Sequence, residues 1–197
     1  MKLLQLEPSY YYHFFNRGNN KENIFMEEDN YFYFLNLLKK YLIPIADFYS
    51  YCLLPNHFHL VFRIKDHWDL PVKIKIGKTS LHQPFSNLFN AYTKAINKRY
   101  NRSGSLFQKH PKRIKIESMA YFQNLIIYVN TNPSHHDISD FSNYRFSSYN
   151  GLISNNETLL KRKETIALFD DVENFKFVCK KQKIKWELIK ESEIEGL

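Results

Sequence analysis

The sequence predicts an α+β fold: an antiparallel β-sheet of four to five strands with helices packed on it, plus a C-terminal helical appendage. Three observations lead there. Segments with period-two alternation interleave irregularly with segments of helical period. The connections between strand-like segments are short and turn-like, which suits antiparallel pairing. The 197 residues include 17 Phe and 14 Tyr but only five Gly, so the chain can build a core and has little material for flexible linkers. The length suits one domain, or one domain plus a small appendage.

The elements follow in order. Tyr10–Phe15 is aromatic and β-prone and predicts the first strand. The NRGNN stretch (16–20) reads as a turn in which Gly18 is free to take φ > 0. Asp29–Leu42 places Tyr31, Phe34, Leu35, Leu38 and Tyr41 on one side of a helix that Pro44 ends. Ile45–Leu54 and His57–Ile64 are two strands joined by the Pro55-Asn56 turn. In the second, Phe58, Leu60, Phe62 and Ile64 face one way, and His57, His59, Val61 and Arg63 the other. Lys65–His82 is mixed and reads as a loop with a short edge strand. Phe85–Tyr100 has helical period, with Phe85, Leu88, Phe89, Tyr92 and Ile96 as its apolar stripe. A loop over 102–108 leads to a strand at Arg113–Ile116. Ser118 is the N-cap of a helix that runs to Asn132, where Pro133 stops it. Beyond Ser134 the sequence is polar and patchy, with a last helix at Val172–Lys181.

Charge is unevenly spread. From Leu70 to Ile116 there is no acidic residue but eleven basic ones, while the other 17 of the 28 Lys and Arg share the chain with all 20 Asp and Glu. A window this one-sided is either a solvated basic face or a surface for a polyanion, most often nucleic acid. DNA and RNA are equally open at this point. The N-terminal apolar run is too short for a signal peptide, and no apolar segment of 18 residues follows, which argues against a membrane span. Only Cys52 and Cys179 are present, far apart, which predicts a reducing cytoplasmic setting. No GxxxxGK[ST] occurs, so no nucleotide cofactor is expected.

Two constellations carry chemistry. His57 and His59, two apart on a strand, point to one face with Cα atoms about 6.6 Å apart, a spacing that lets both imidazoles lean onto one cation. Two ordinary capped histidines fit the same pattern. In LIIYVNTNP (125–133), Tyr128 and Asn132 are four apart and share a helical face, opposite a packing stripe of Met119, Phe122, Ile126 and Val129. A half-buried aromatic beside a C-terminal cap is the plainer account of that pair.

Taken together, PNHFHLV and a later YVNTNP resemble the single-tyrosine HUH (His-hydrophobe-His) transposases, the small insertion-sequence-200-like enzymes and their REP-associated relatives. NRGNNKENIF, YCLLPNHFH, FNAYTKAINKRYNRSGSLFQ and NPSHHDI with SSY are similar to that family as well. The resemblance covers roughly 9–150, which implies a catalytic domain over 1–150 and a C-terminal helical extension over 151–197. It implies cleavage and rejoining of single-stranded, hairpin-forming DNA through a covalent 5′-phosphotyrosine. On that reading Tyr128 is the nucleophile, with Tyr121, seven residues earlier on nearly the same face, as its rival. His57, His59 and Asn132 hold one Mg²⁺ or Mn²⁺ ion. Arg17, Lys94, Lys98, Arg99, Arg102, Lys109, Lys112 and Arg113 form the DNA track. His135 and His136 lie just past the helix, either within reach of the phosphate or, the plainer account, as solvated loop residues. Relatives of this type can dimerise, so a homodimer, with the tyrosine serving its own site or a partner's, stays open. Two other classes fit the residues: a non-catalytic single-stranded nucleic-acid-binding protein, and a metal-dependent nuclease that activates water.

Overall fold

Four strands form one antiparallel sheet: β1 (Tyr11–Arg17), β2 (Ala46–Leu54), β3 (His57–Ile64) and β4 (Lys112–Ile116), in the order β2-β3-β1-β4. The structure, a computed structural model, describes residues 4–181. Helix α1 (Glu28–Tyr41) links β1 to β2. A short α2 (Val72–Lys75) and a long α3 (Gln83–Arg99) link β3 to β4. This is the β-α-β-β-α-β plan of ferredoxin-like folds, with α1 and α3 packed against each other on one face of the sheet. Helix α4 (Met119–His135) covers the other face, joined by α5 (Tyr149–Ile153), α6 (Arg162–Ala167) and α7 (Val172–Lys181).

Both faces of the sheet are therefore buried, and each strand divides its side chains between two cores. Tyr12, Phe14, Phe58, Leu60 and Phe62 point toward α1 and α3, where they meet Phe34, Phe85, Leu88 and Tyr92. Tyr49, Cys52, Leu54 and Val61 point toward α4, where they meet Phe122, Leu125, Ile126 and Val129. Phe169, Phe175 and Cys179 belong to this second core, so the chain after residue 150 packs on the same surface as α4. Both cysteines are buried and free. Residues 182–197 of the C-terminal extension lie outside the described residues. Among the described residues no helix is long and apolar enough to cross a membrane.

Local chemistry accounts for the ends. The Glu27 side chain accepts from the third backbone N–H of α1, and Asn30 Oδ1 reaches back to the N–H groups of Met26 and Glu27, closing a reciprocal cap. Ser118 caps α4 by accepting from the Tyr121 N–H at 3.2 Å.

Four expectations need correction. Pro133 does not stop α4. Its missing N–H costs one bond to Val129, and the helix continues to His135. It ends where Asp137 turns left-handed (φ 52°) and the N–H groups of Ile138 and Asp137 return to the carbonyls of Pro133 and Ser134, the double closure typical of helix C-termini. Met119 is exposed rather than part of the packing stripe. Residues 65–82 contain no edge strand but a 3₁₀ turn at His67–Asp69 followed by α2. Gly18 has φ −62°, and the left-handed residues of that loop are Asn20 and Lys21. Glycine is needed at 18 for room, since a Cβ there would sit 1.9 Å from the Glu22 carbonyl oxygen.

Candidate active site

The loop after β1 clamps the turn between β2 and β3. The Gly18 N–H donates to the Asn56 carbonyl (2.8 Å), and the Ile24 and Phe25 N–H groups donate to the Pro55 carbonyl (2.7 and 3.0 Å). This fixes the start of β3, where His57 lies directly opposite Arg17 and His59 opposite Phe15. All four side chains face α4.

The two imidazoles lie with ring centroids 5.3 Å apart. His57 Nδ1 is 2.7 Å from Asn56 Oδ1. An amide oxygen only accepts, so Nδ1 carries the proton and Nε2 keeps its lone pair. His59 Nδ1 is 2.9 Å from Nε2 of a third histidine, His13 of β1. Among the described residues, neither His57 Nε2 nor His59 Nε2 has a hydrogen-bond partner, although both atoms are buried.

Helix α4 brings the remaining groups. Tyr128 is only 1% exposed, and its ring meets that of His59 edge-on at 5.6 Å. Asn132, one turn later, is fully buried, and neither amide atom makes a hydrogen bond of normal geometry among the described residues. It lies close enough to act on both neighbours, favouring the cationic form of His57 and the phenolate of Tyr128. Tyr121 packs, partly buried, at the edge of the second core. The helix is pinned by a buried network. Asn130 donates to Ser50 Oγ (3.0 Å) and accepts from Ser148 Oγ (2.7 Å), and Ser148 Oγ also takes the Tyr51 N–H (3.0 Å).

Burial sets the charges. It holds His57 at about 3, with the His136 and Arg17 charges pushing the same way, and holds His59 well below the usual imidazole range. Both are neutral near pH 7, as metal ligands must be. Burial also raises the Tyr128 phenol above its ordinary value. His135 is half-buried in the last turn of α4 rather than in a solvated loop, while His136, just past the helix, is exposed. The His135 ring stacks over Tyr128 at 6.1 Å, and the His136 ring meets His57 at 4.8 Å.

The basic residues divide. Arg17 is buried beside His57, and Lys112 reaches over Phe15, whose ring stacks on both His13 and His59. Lys94, Lys98 and Lys109 are exposed and have no ion pair among the described residues. Arg99 pairs with Glu27 (2.6 Å), Arg102 with Glu22 (2.5 Å), and Arg113 bonds to the His82 ring at the sheet's opposite face. The acid-free window is thus partly neutralised by acids from residues 22–29.

A bound cation has a fitting donor set here. Two buried imidazole Nε2 atoms and a buried amide, all without normal partners among the described residues, lie beside a phenol. No cluster of three or more His, Cys, Asp or Glu suited to a metal occurs among the described residues, so an ion would rest on two imidazoles and the amide oxygen. His13 and Asn56, which hold the outer nitrogens of both imidazoles, escape a reading by sequence motif. His13 lies within the strand expected at Tyr10–Phe15, but the sequence withholds the register that sets it beside His59.

No protein-family model and no curated protein matches the chain. Among solved structures it is similar to that of a REP-associated tyrosine transposase bound to a REP hairpin, with a TM-score of 0.58 and 11% identity over 79% of this chain and 85% of that one. The two share a fold, here an α+β architecture built on one four-stranded antiparallel sheet.

Proposed function

We propose that this protein is a transposase-type endonuclease and strand transferase that acts on single-stranded, hairpin-forming DNA through a covalent phosphotyrosine at Tyr128, with one Mg²⁺ or Mn²⁺ held by His57, His59 and Asn132. The observation that supports it most is the meeting, within one chain, of the Tyr128 ring with a pair of neutral imidazoles whose inward nitrogens have no partner. The similar structure carries a DNA hairpin, which supports that substrate class here.

In this reading the Tyr128 oxygen attacks the scissile phosphorus. The bond from phosphorus to the 3′ oxygen breaks, and the 5′ side stays on the enzyme as a phosphotyrosine. The phenol gives up one proton and the departing 3′ oxygen takes one up, so the step is balanced. The ester keeps the bond energy, and reversal by a 3′-OH rejoins strands without ATP. The bound ion would supply Lewis-acid polarisation of the phosphate. Asn132 favours the phenolate against the burial that disfavours it. Arg17 and Lys112 add positive charge beside the imidazoles, where a phosphate would lie. Tyr128 and His57 are almost wholly buried, with the rings of His135 and His136 against them.

The test uses labelled single-stranded hairpin oligonucleotides with Mg²⁺ or Mn²⁺ on a denaturing gel. A covalent adduct is expected for wild type and Tyr121→Phe, and none for Tyr128→Phe or His57→Ala. Cleavage that survives Tyr128→Phe would mean water activation instead. Binding without cleavage in either metal would leave only a binding protein.

A further inference from the structure

We infer that residues 67–78, between β3 and α3, form a second contact for nucleic acid: Trp68 is a stacking platform for unpaired bases of a single strand, and Lys73 and Lys78 take its phosphates. The inference deepens the proposed function and rests on it for the choice of DNA.

Among the described residues, the three most exposed large apolar side chains fall within nine positions of this segment: Trp68 at 81%, Val72 at 64% and Ile76 at 58%. They stand four apart and alternate with residues that hold the segment to the protein. Leu70 is buried in the first core, and Ile74 packs against it. Just before the segment, Asp66 pairs with Arg63 (2.6 Å) and accepts from the Ser9 hydroxyl. The Lys75 ammonium donates to the Trp68 carbonyl (3.2 Å), and the Thr79 N–H donates to the Lys73 carbonyl (3.1 Å) past a left-handed Gly77 (φ 72°). The indole is thus presented outward from an anchored backbone, with the His67 ring edge-on beside it at 5.4 Å.

Charge decides what such a surface takes. Residues 67–78 carry Lys73, Lys75 and Lys78 against Asp69 alone, and no acid follows until Glu117. Lys73 and Lys78 are exposed and have no ion pair among the described residues. An apolar patch rimmed by uncompensated cations is complementary to a polyanion that also offers flat apolar faces, which is single-stranded nucleic acid. In a duplex those faces are covered by neighbouring pairs, so the indole takes unpaired bases. A membrane surface fits less well: helices that lie in a bilayer interface bury a wide apolar face over many residues, whereas α2 spans only Val72–Lys75. His57 opens β3 and Trp68 lies four residues past its end. The strand alone spans about 23 Å, so the platform is a contact separate from the proposed active site.

The experiment uses the full-length chain carrying Trp186→Phe, which leaves Trp68 as the single tryptophan. Its emission is followed during titration with a single-stranded oligothymidylate, and affinities of further variants are read from the anisotropy of the labelled oligonucleotide. We expect Trp68 to be quenched on binding. We also expect affinity to fall about 5- to 150-fold in Trp68→Ala, with most of it kept in Trp68→Phe. Lys73→Gln combined with Lys78→Gln should make the slope of log affinity against log salt shallower by about 1.4. Because the indole is almost fully exposed, Trp68→Ala leaves both cores intact. Unchanged affinity in Trp68→Ala, or emission that stays unquenched at saturation, overturns the proposal. Emission that shifts to the blue with phosphatidylglycerol vesicles yet stays unquenched by the oligonucleotide assigns the patch to a membrane and overturns it too. Quenching without any covalent adduct at Tyr128 would overturn the proposed function and still uphold this contact.

Discussion

Burying three imidazoles between one strand pair and one helix gives the stability of the protein a particular pH dependence. His13 and His57 are each held at about 3 by burial, and His59 well below its ordinary value for the same first reason. In the unfolded chain these rings take up protons near 6.5. Between about 6.5 and 3 the unfolded state therefore binds more protons than the folded one, so stability falls as pH falls. The contribution is complete above about 6.5 and is lost progressively toward the folded value, at up to about 1.4 kcal/mol per pH unit for each ring. His135 and His136 shift in the same direction. The lowered carboxylates Glu27, Asp66 and Asp140 act at lower pH, from about 4 downward. Urea unfolding at pH 7.5, 6.5, 5.5 and 4.5 isolates the histidines. A steady loss below 6.5 is expected, shallower in His13→Phe, and a flat profile over that range would contradict it.

At the scale of elements, α4 carries Tyr128, the proposed nucleophile, and Asn132, and it holds its place through one polar network as well as through packing. Asn130, Ser50 and Ser148 share hydrogen bonds in a fully buried setting. Asn130→Ala removes a donor to Ser50 Oγ and the acceptor of the Ser148 hydroxyl, leaving the two hydroxyls to each other and to the Tyr51 N–H, and buried polar groups that lose a partner cost about 1–3 kcal/mol. We expect urea unfolding to register a loss of that size, with adduct formation reduced because Tyr128 and Asn132 flank the lost anchor by about half a turn. A change below about 0.5 kcal/mol would place Asn130 among residues of no structural consequence. This anchor also illustrates what the sequence does and does not disclose. Alternation made β2 and β3 legible, and with them the shared face of His57 and His59. Helical spacing put Tyr128 and Asn132 on one side of α4. The helix is, however, buried on nearly every side from Leu125 to Pro133, because α5 and α7 cover what a stripe of apolar residues alone would leave to solvent. Those two helices come from a polar, patchy stretch whose period is too short to read, apart from Val172–Lys181. Pro133 misled because a proline two residues before a helix end removes only one bond. The partnership of His13 with His59 depends on strand register across 46 residues, which no local pattern encodes.

For the whole molecule, the ferredoxin-like plan sends α1 and α3 to one face of the sheet and leaves the other free for α4, and the candidate site lies between that second face and the helix. Every group of the site comes from the same chain: His57 and His59 from β3, Arg17 from β1, and Tyr128 and Asn132 from α4. The short path from β4 into α4 through Glu117 and Ser118, together with the Asn130 anchor, ties the helix to its own sheet. A tyrosine held this way should act in its own site. Mixing Tyr128→Phe with His57→Ala in equal amounts tests this directly. If a partner copy supplied the tyrosine, mixed dimers would each recover one working site, and adduct would return to roughly a quarter of the wild-type level. We expect no recovery above the level of either variant alone, at any protein concentration. Recovery that grows with concentration would show that α4 leaves its own sheet to complete the site of a second chain, against the contacts that hold it here.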